Sequence, residues 1–131
     1  MSYTETTTET TTTELIDTFD RVKIVAAAAE DKKANDVTVL KLIGVTTFTD
    51  YFAICSANSS RQVQSISDEI EDRLRAKKIR PLHIEGYTNA EWVLMDYGPF
   101  IVHVFNEKSR QFYDLERLWR DAEKVDVSSE K

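Results

Sequence analysis

The feature that most constrains this chain is a change of apolar period between Asp50 and Lys78. Residues 50–57 (DYFAICSA) are an apolar run bounded by polar turn residues, which reads as a strand. Immediately after it, Ser59 and Gln62 stand at the spacing of a helix-capping box, and Val63, Ile66, Ile70 and Leu74 then line one face of a helix to about Lys78. The opposite face carries Asp68, Glu71, Asp72, Arg75 and Lys78, the residue types that water-facing positions hold. A helix with a single apolar stripe has to bury that stripe against another layer, so strand and helix belong to a helix-on-sheet architecture.

The remaining pattern extends that architecture. Leu15, Ile16, Phe19, Val22 and Ala26 recur at helical spacing between Glu14 and Ala29, and the alanine run favours helix. Strands are predicted at Asp36–Val45, Arg80–Glu85, Trp92–Tyr97 and Phe100–Phe105, with a turn at Thr46–Thr49 and a hairpin across Gly98 and Pro99. Ser109–Ala122 reads as helical. The expectation is an α/β (α+β) fold, a single domain with a five-stranded mixed sheet and about three helices. At 131 residues the chain has the size of one domain. Residues 1–13, Thr and Glu almost throughout, cannot offset their ordering entropy by burial and are expected to form a disordered tail. The folded domain is expected over 14–122, and 123–131 as a second disordered tail.

Composition narrows the class of function. No apolar run approaches the roughly 18 residues of a membrane span. The start of the chain has neither a basic n-region nor an apolar h-region, and Cys55 is the only cysteine, so a reducing, cytoplasmic setting is expected. The formal charge of -6 is concentrated at the ends: Glu5, Glu9 and Glu14 lie within residues 1–14, and Asp121, Glu123, Asp126 and Glu130 outnumber Lys124 and Lys131 at the other end. An acidic balance carried by tails neither excludes nor identifies a nucleic-acid-rich partner, because binding follows local patches.

Signals for chemistry are sparse. A two-residue turn at Gly98-Pro99 sets Asp96 opposite Ile101 and Leu94 opposite His103, making Asp96 and His103 diagonal neighbours on one face. Acid–base catalysis also needs a nucleophile or substrate within hydrogen-bond reach, and none is evident, so a structural or interface pair is the expected meaning. His83, His103 and Cys55 come from separate strands with no paired motif, so no metal site is expected. Cys55 reads as a buried, inert thiol. Gly44, Gly86 and Gly98 are too dispersed to cradle phosphates, and no nucleotide or other cofactor is expected. Ser59, Ser60 and Arg61 could meet an anion at a helix start, although capping accounts for the serines. Tyr51, Trp92, Tyr97, Phe112, Tyr113 and Trp119, mixed with Asp50, Asp96, Arg110, Glu116 and Arg117, suit either a core or a protein interface.

A second reading comes from fragments in order: AAAEDKKAND (27–36), TDYFAICSANSSRQV (49–63), Glu85-Gly86, WVLMDYG (92–98), VHVF (102–105) and RQFYDLERLWRDA (110–122). This pattern resembles the ribosomal silencing factor, or Iojap, family over most of residues 20–122. The resemblance implies a nucleotidyltransferase-like fold without catalysis. It implies binding of the large ribosomal subunit through a ribosomal protein, the L-fourteen protein, which would block joining of the small subunit and repress translation. Little direct RNA contact and a monomer or weak homodimer are expected with it. By position, Trp92, Asp96 and Tyr97 are the first candidates for partner contact, followed by Asp50, Tyr51, His103, Arg110, Tyr113 and Trp119. Met95, Pro99 and the Thr-rich extension depart from the family pattern. The competing functions are a nucleotidyltransferase-like enzyme and an adaptor for a different protein. The enzyme would need a Gly-Ser loop and a strand-borne Asp-x-Asp pair, and the sequence has neither.

Overall fold

The computed structural model describes residues 18–127. Helix α1 runs over 18–31 within them, followed by β1 (Asn35–Lys41), β2 (Tyr51–Ala57), α2 (Ser60–Ala76), β3 (His83–Glu85), β4 (Trp92–Asp96), β5 (Phe100–Asn106), α3 (Glu107–Tyr113), α4 (Leu115–Leu118) and β6 (Glu123–Val125). The tail expected at 1–13, the first turn of the expected first helix and residues 128–131 lie outside the described residues.

Helix α2 starts where its cap dictates. The Gln62 N–H donates to Ser59 Oγ at 3.1 Å, while Gln62 Oε1 accepts from the Asn58 N–H, one residue before the usual capping-box donor. Its predicted apolar stripe is the buried one: Val63, Ile66, Ile70 and Leu74 pack on the sheet, with Ser67 between them donating to the Val63 carbonyl.

The sheet order is β3-β4-β5-β2-β1-β6, with β2 and β5 parallel at the centre and every other pairing antiparallel. The mixed character is as predicted, but there are six strands rather than five. The sixth, Glu123–Val125, comes from chain expected to be a tail; three residues, two of them charged, carry no strand period, and backbone pairing with Val39–Lys41 holds them in place. Strand β1 ends at Lys41, four residues before the predicted boundary. Gly44 takes a positive φ there, and the Leu42 N–H turns to the Asp50 carbonyl at 2.7 Å, opening a loop longer than the predicted turn.

The β4–β5 register is the predicted one, with Asp96 opposite Ile101 and Leu94 opposite His103. Gly98, at φ 93°, supplies the left-handed corner, and the Tyr97 N–H closes the turn on the Phe100 carbonyl at 3.0 Å. Pro99, which has no N–H to offer, contributes its carbonyl to the Asp50 N–H instead. Side-chain alternation then divides the core in two. Ala53, Cys55, Val93, Met95, Phe100, Val102 and Val104 face α1 and α2. Leu40, Phe52, Ile54, Ile101 and Phe105 face the other way, where Leu115, Ala122, Trp92, Leu94 and Trp119 pack on them.

A candidate protein-docking face

The side of the sheet away from α1 and α2 is lined by rings. Trp92 stacks on Phe105 (centroids 5.1 Å apart) and meets Tyr113 at 4.6 Å, while His103 meets Phe52 edge-on at 4.5 Å. Phe52 meets Trp119, and Trp119 meets Phe48, each at 5.9 Å. Phe112 abuts Tyr113 at the far end. Strands β2, β4 and β5 supply the inner rings, the loop between β1 and β2 supplies Phe48, and the α3–α4 segment supplies Phe112, Tyr113 and, just past its end, Trp119.

His103 is the polar centre of this face. The Trp92 Nε1–H donates to His103 Nδ1 at 3.1 Å, which leaves the proton of a neutral imidazole on Nε2. Burial to 3% exposure lowers its pKa to about 3, so the ring is neutral at physiological pH. Nε2 is buried with no partner among the described residues. Asp96 and His103 are diagonal neighbours, as the register requires, but they are not an acid–base pair. Asp96 Oδ1 accepts from the Gly98 N–H at 2.8 Å, Oδ2 stands 3.9 Å from the His83 imidazole, and the His103 ring is oriented by Trp92.

The other residues singled out in the sequence divide clearly. Trp92, Asp96, Tyr113 and Trp119 lie on or beside the ring-lined face with part of their surface open, and Asp50 is half-buried at the start of β2. Tyr51 and Tyr97 are buried on the helix side, Tyr51 against Phe19 and Tyr97 stacked on Phe100 at 4.9 Å. Burial raises the pKa of both phenols. Arg110 is 8% exposed and directed inward. Sequence reasoning missed Phe48, which packs on Trp119, and the exposed apolar residues Ile43, Val45 and Leu118 on the neighbouring loop and helix. Exposed apolar residues in loops and short helices have the same letters as core residues, so no period distinguishes them.

Open α/β sheets bind ligands outside the carboxyl ends of parallel strands. Here the carboxyl end of β2 carries an internal polar network. Glu107 accepts from Ser56 Oγ at 2.8 Å and from Asn35 Nδ2 at 2.7 Å, and the Arg110 guanidinium lies against the same serine. Burial pushes the Cys55 thiol up to about 12, which keeps it protonated and inert. Among the described residues no group of three His, Cys, Asp or Glu side chains could hold a metal ion, and no helix is long and apolar enough to cross a membrane.

The family model described as "Ribosomal silencing factor during starvation" matches residues 16–131. The chain belongs to the ribosomal silencing factor family. It is 44% identical to the ribosomal silencing factor RsfS of Bacillus subtilis over 106 residues, covering 81% of this chain and 90% of that one. A crystal structure of a Bacillus halodurans protein superposes with a TM-score of 0.70 at 39% identity, covering 79% of this chain and 93% of that one. A more distant relative is the mouse mitochondrial assembly of ribosomal large subunit protein 1, 27% identical over 104 residues that cover 77% of this chain and 45% of that protein. Membership is in a family of regulatory factors. The WVLMDYG segment lies on β4 and its turn, and the RQFYDLERLWRDA segment covers most of α3 and all of α4.

Proposed function

We propose that this protein represses translation in the cytoplasm by binding the large ribosomal subunit through a ribosomal protein, the L-fourteen protein, with its bulk preventing the small subunit from joining. One observation carries the reading to a particular surface. Of the eight exposed large hydrophobic residues among those described, six (Ile43, Val45, Phe48, Phe112, Tyr113 and Leu118) lie on the β1–β2 loop and the α3–α4 segment, which meet where Phe48 packs on Trp119. Apolar residues gathered beside half-buried Trp and Tyr rings form the kind of surface that partner proteins cover. Trp92, Tyr113 and Trp119 are the proposed apolar anchors. Asp96 and Asp50 at the rim meet basic groups of the partner, and His103, buried within the face, orients the Trp92 indole from below. Tyr51 and Tyr97 support the face from the core behind it. Direct RNA contact is minor, and the free protein is a monomer or a weak homodimer.

The test is sedimentation of purified large and small subunits with and without the protein, at magnesium levels that favour joining. Co-migration with large subunits and fewer joined ribosomes are expected. Folded Trp92→Ala and Asp96→Ala proteins are expected to bind more weakly, by about tenfold or more for the tryptophan. A protein that stays at the top of the gradient and leaves joining unchanged would refute the proposal, and unchanged affinity in both variants would refute the assigned contacts.

A further inference from the structure

The α3–α4 arm carries much of the exposed apolar surface, yet very little of the arm is anchored. Helices of seven and four residues are too short to be stable on their own. The only buried residue of α3 is Arg110, and the only buried residue of α4 is Leu115. Asp114, in the left-handed conformation at φ 49°, interrupts the two helices, so seating one does not rigidly seat the other.

Arg110 connects the arm to the sheet and to itself. Its Nη1 donates to the Asn35 carbonyl at 3.2 Å and to Ser56 Oγ at 3.0 Å, reaching β1 and β2. Its Nη2 donates to Thr38 Oγ1 at 3.3 Å and to Glu116 Oε2 at 2.6 Å, while Nε donates to Glu116 Oε1 at 3.3 Å. A guanidinium has five N–H donors, and these five bonds use all of them. None remains for a partner. The bidentate pair with Glu116 crosses the break at Asp114, tying α4 to α3, while the Nη1 bonds tie α3 to the strands. The Glu107 carboxylate, which accepts from Asn35 and from the same Ser56 hydroxyl, fixes the serine that receives the Nη1 bond.

We infer that Arg110 is a positioning residue: it latches the α3–α4 arm onto the sheet, so that Phe112, Tyr113, Leu118 and Trp119 form a preordered docking surface, and it sets partner affinity without touching the partner. The latch stands on the geometry above, and its consequence for affinity rests on the proposed binding to the large subunit. Without the latch those four side chains have to be ordered at the moment of binding, which weakens association by about tenfold or more.

The test compares full-length Arg110→Lys, Arg110→Met and Glu116→Gln proteins with the wild type, reading amide hydrogen exchange across residues 109–121 and affinity for purified large subunits. The latch predicts that Arg110→Lys, which keeps the charge but loses the planar fork, exposes the arm to exchange and weakens binding about as much as Arg110→Met does. Glu116→Gln, nearly isosteric, shifts both readouts the same way, and β2 and β5 stay protected in all three. Arg110→Met combined with Glu116→Gln is no worse than Arg110→Met alone, because both act on one interaction. A protected arm in Arg110→Met and Glu116→Gln overturns the latch. Wild-type affinity in Arg110→Lys with Arg110→Met weakened marks a direct charge contact and also overturns it. If the wild type itself does not bind large subunits, the ribosomal reading fails, and the exchange data alone still decide whether Arg110 holds the arm.

Discussion

The two faces of the sheet are built from the same strands and used in opposite ways. On the helix side, α1 and α2 cover a mainly aliphatic layer from Ala53 through Met95 to Val104, and little of it reaches the surface. On the other side, rings meet edge-on and stacked beneath a loop and two short helices, and the outermost apolar residues stay open to solvent. A face sealed by a long helix turns its apolar area into stability. A face covered by short pieces of chain keeps part of that area available to another molecule. The sharpest way to break this comparison is to truncate the sealed side. Ile70→Ala and Leu74→Ala each leave a cavity under α2 and should cost about 2–5 kcal/mol in denaturant unfolding. A loss below about 1 kcal/mol at both positions would show that the helix layer does not carry the fold.

His103 tests the open face by a different route, because it is a titratable group buried among rings. Its folded-state pKa, lowered to about 3 by burial, lies below the ordinary value of 6.5, so between those two pH values the unfolded chain binds a proton that the folded protein does not. The stability that depends on neutral His103 is therefore complete above pH 6.5 and is lost as pH falls toward about 3. The slope contributed is up to about 1.4 kcal/mol per pH unit. Thermal unfolding of the wild type should fall more steeply from pH 6.5 to pH 4 than that of His103→Phe, which retains a ring without the titration. Parallel pH profiles would mean that water reaches the imidazole and that this part of the face is wetter than its packing indicates.

The contrast between the faces also accounts for how much of the molecule the sequence disclosed. The apolar stripe of α2, its Ser59 cap and the β4–β5 register were all legible, because each follows from a local period or from a turn that only a few residues satisfy. Strand β6 was not, since Glu-Lys-Val acquires its conformation from the edge of β1 and not from its own side chains. The same distinction runs through the candidate site. Trp92 and Trp119 were picked out by their place in the family resemblance, and both make ring contacts on the open face. Tyr97 and Arg110 were picked out on the same grounds, yet a tyrosine stacked in a core and an arginine saturated with internal bonds have the same letters as a tyrosine and an arginine at an interface. Which side of the sheet a ring occupies depends on long-range pairing, and which donors are already used depends on segments as far apart as Asn35 and Arg110.

The finest test concerns residues that do almost nothing for the fold. Phe112 is 80% exposed and Leu118 is 71% exposed, so neither removes much apolar area from water in the free protein. Replacing either with serine should change stability by no more than about 0.5 kcal/mol, as for other surface positions that lack a cap or a buried partner. The same substitutions should weaken association with large subunits, because apolar area that is open in the free state is the area a partner can cover. Paired measurements of unfolding and of binding for Phe112→Ser and Leu118→Ser separate the two roles. Altered stability would place these side chains in the folded architecture after all. Unaltered binding in both would move the docking surface off the arm and toward Trp92 and the β1–β2 loop, leaving the arm as a cover for the rings beneath it.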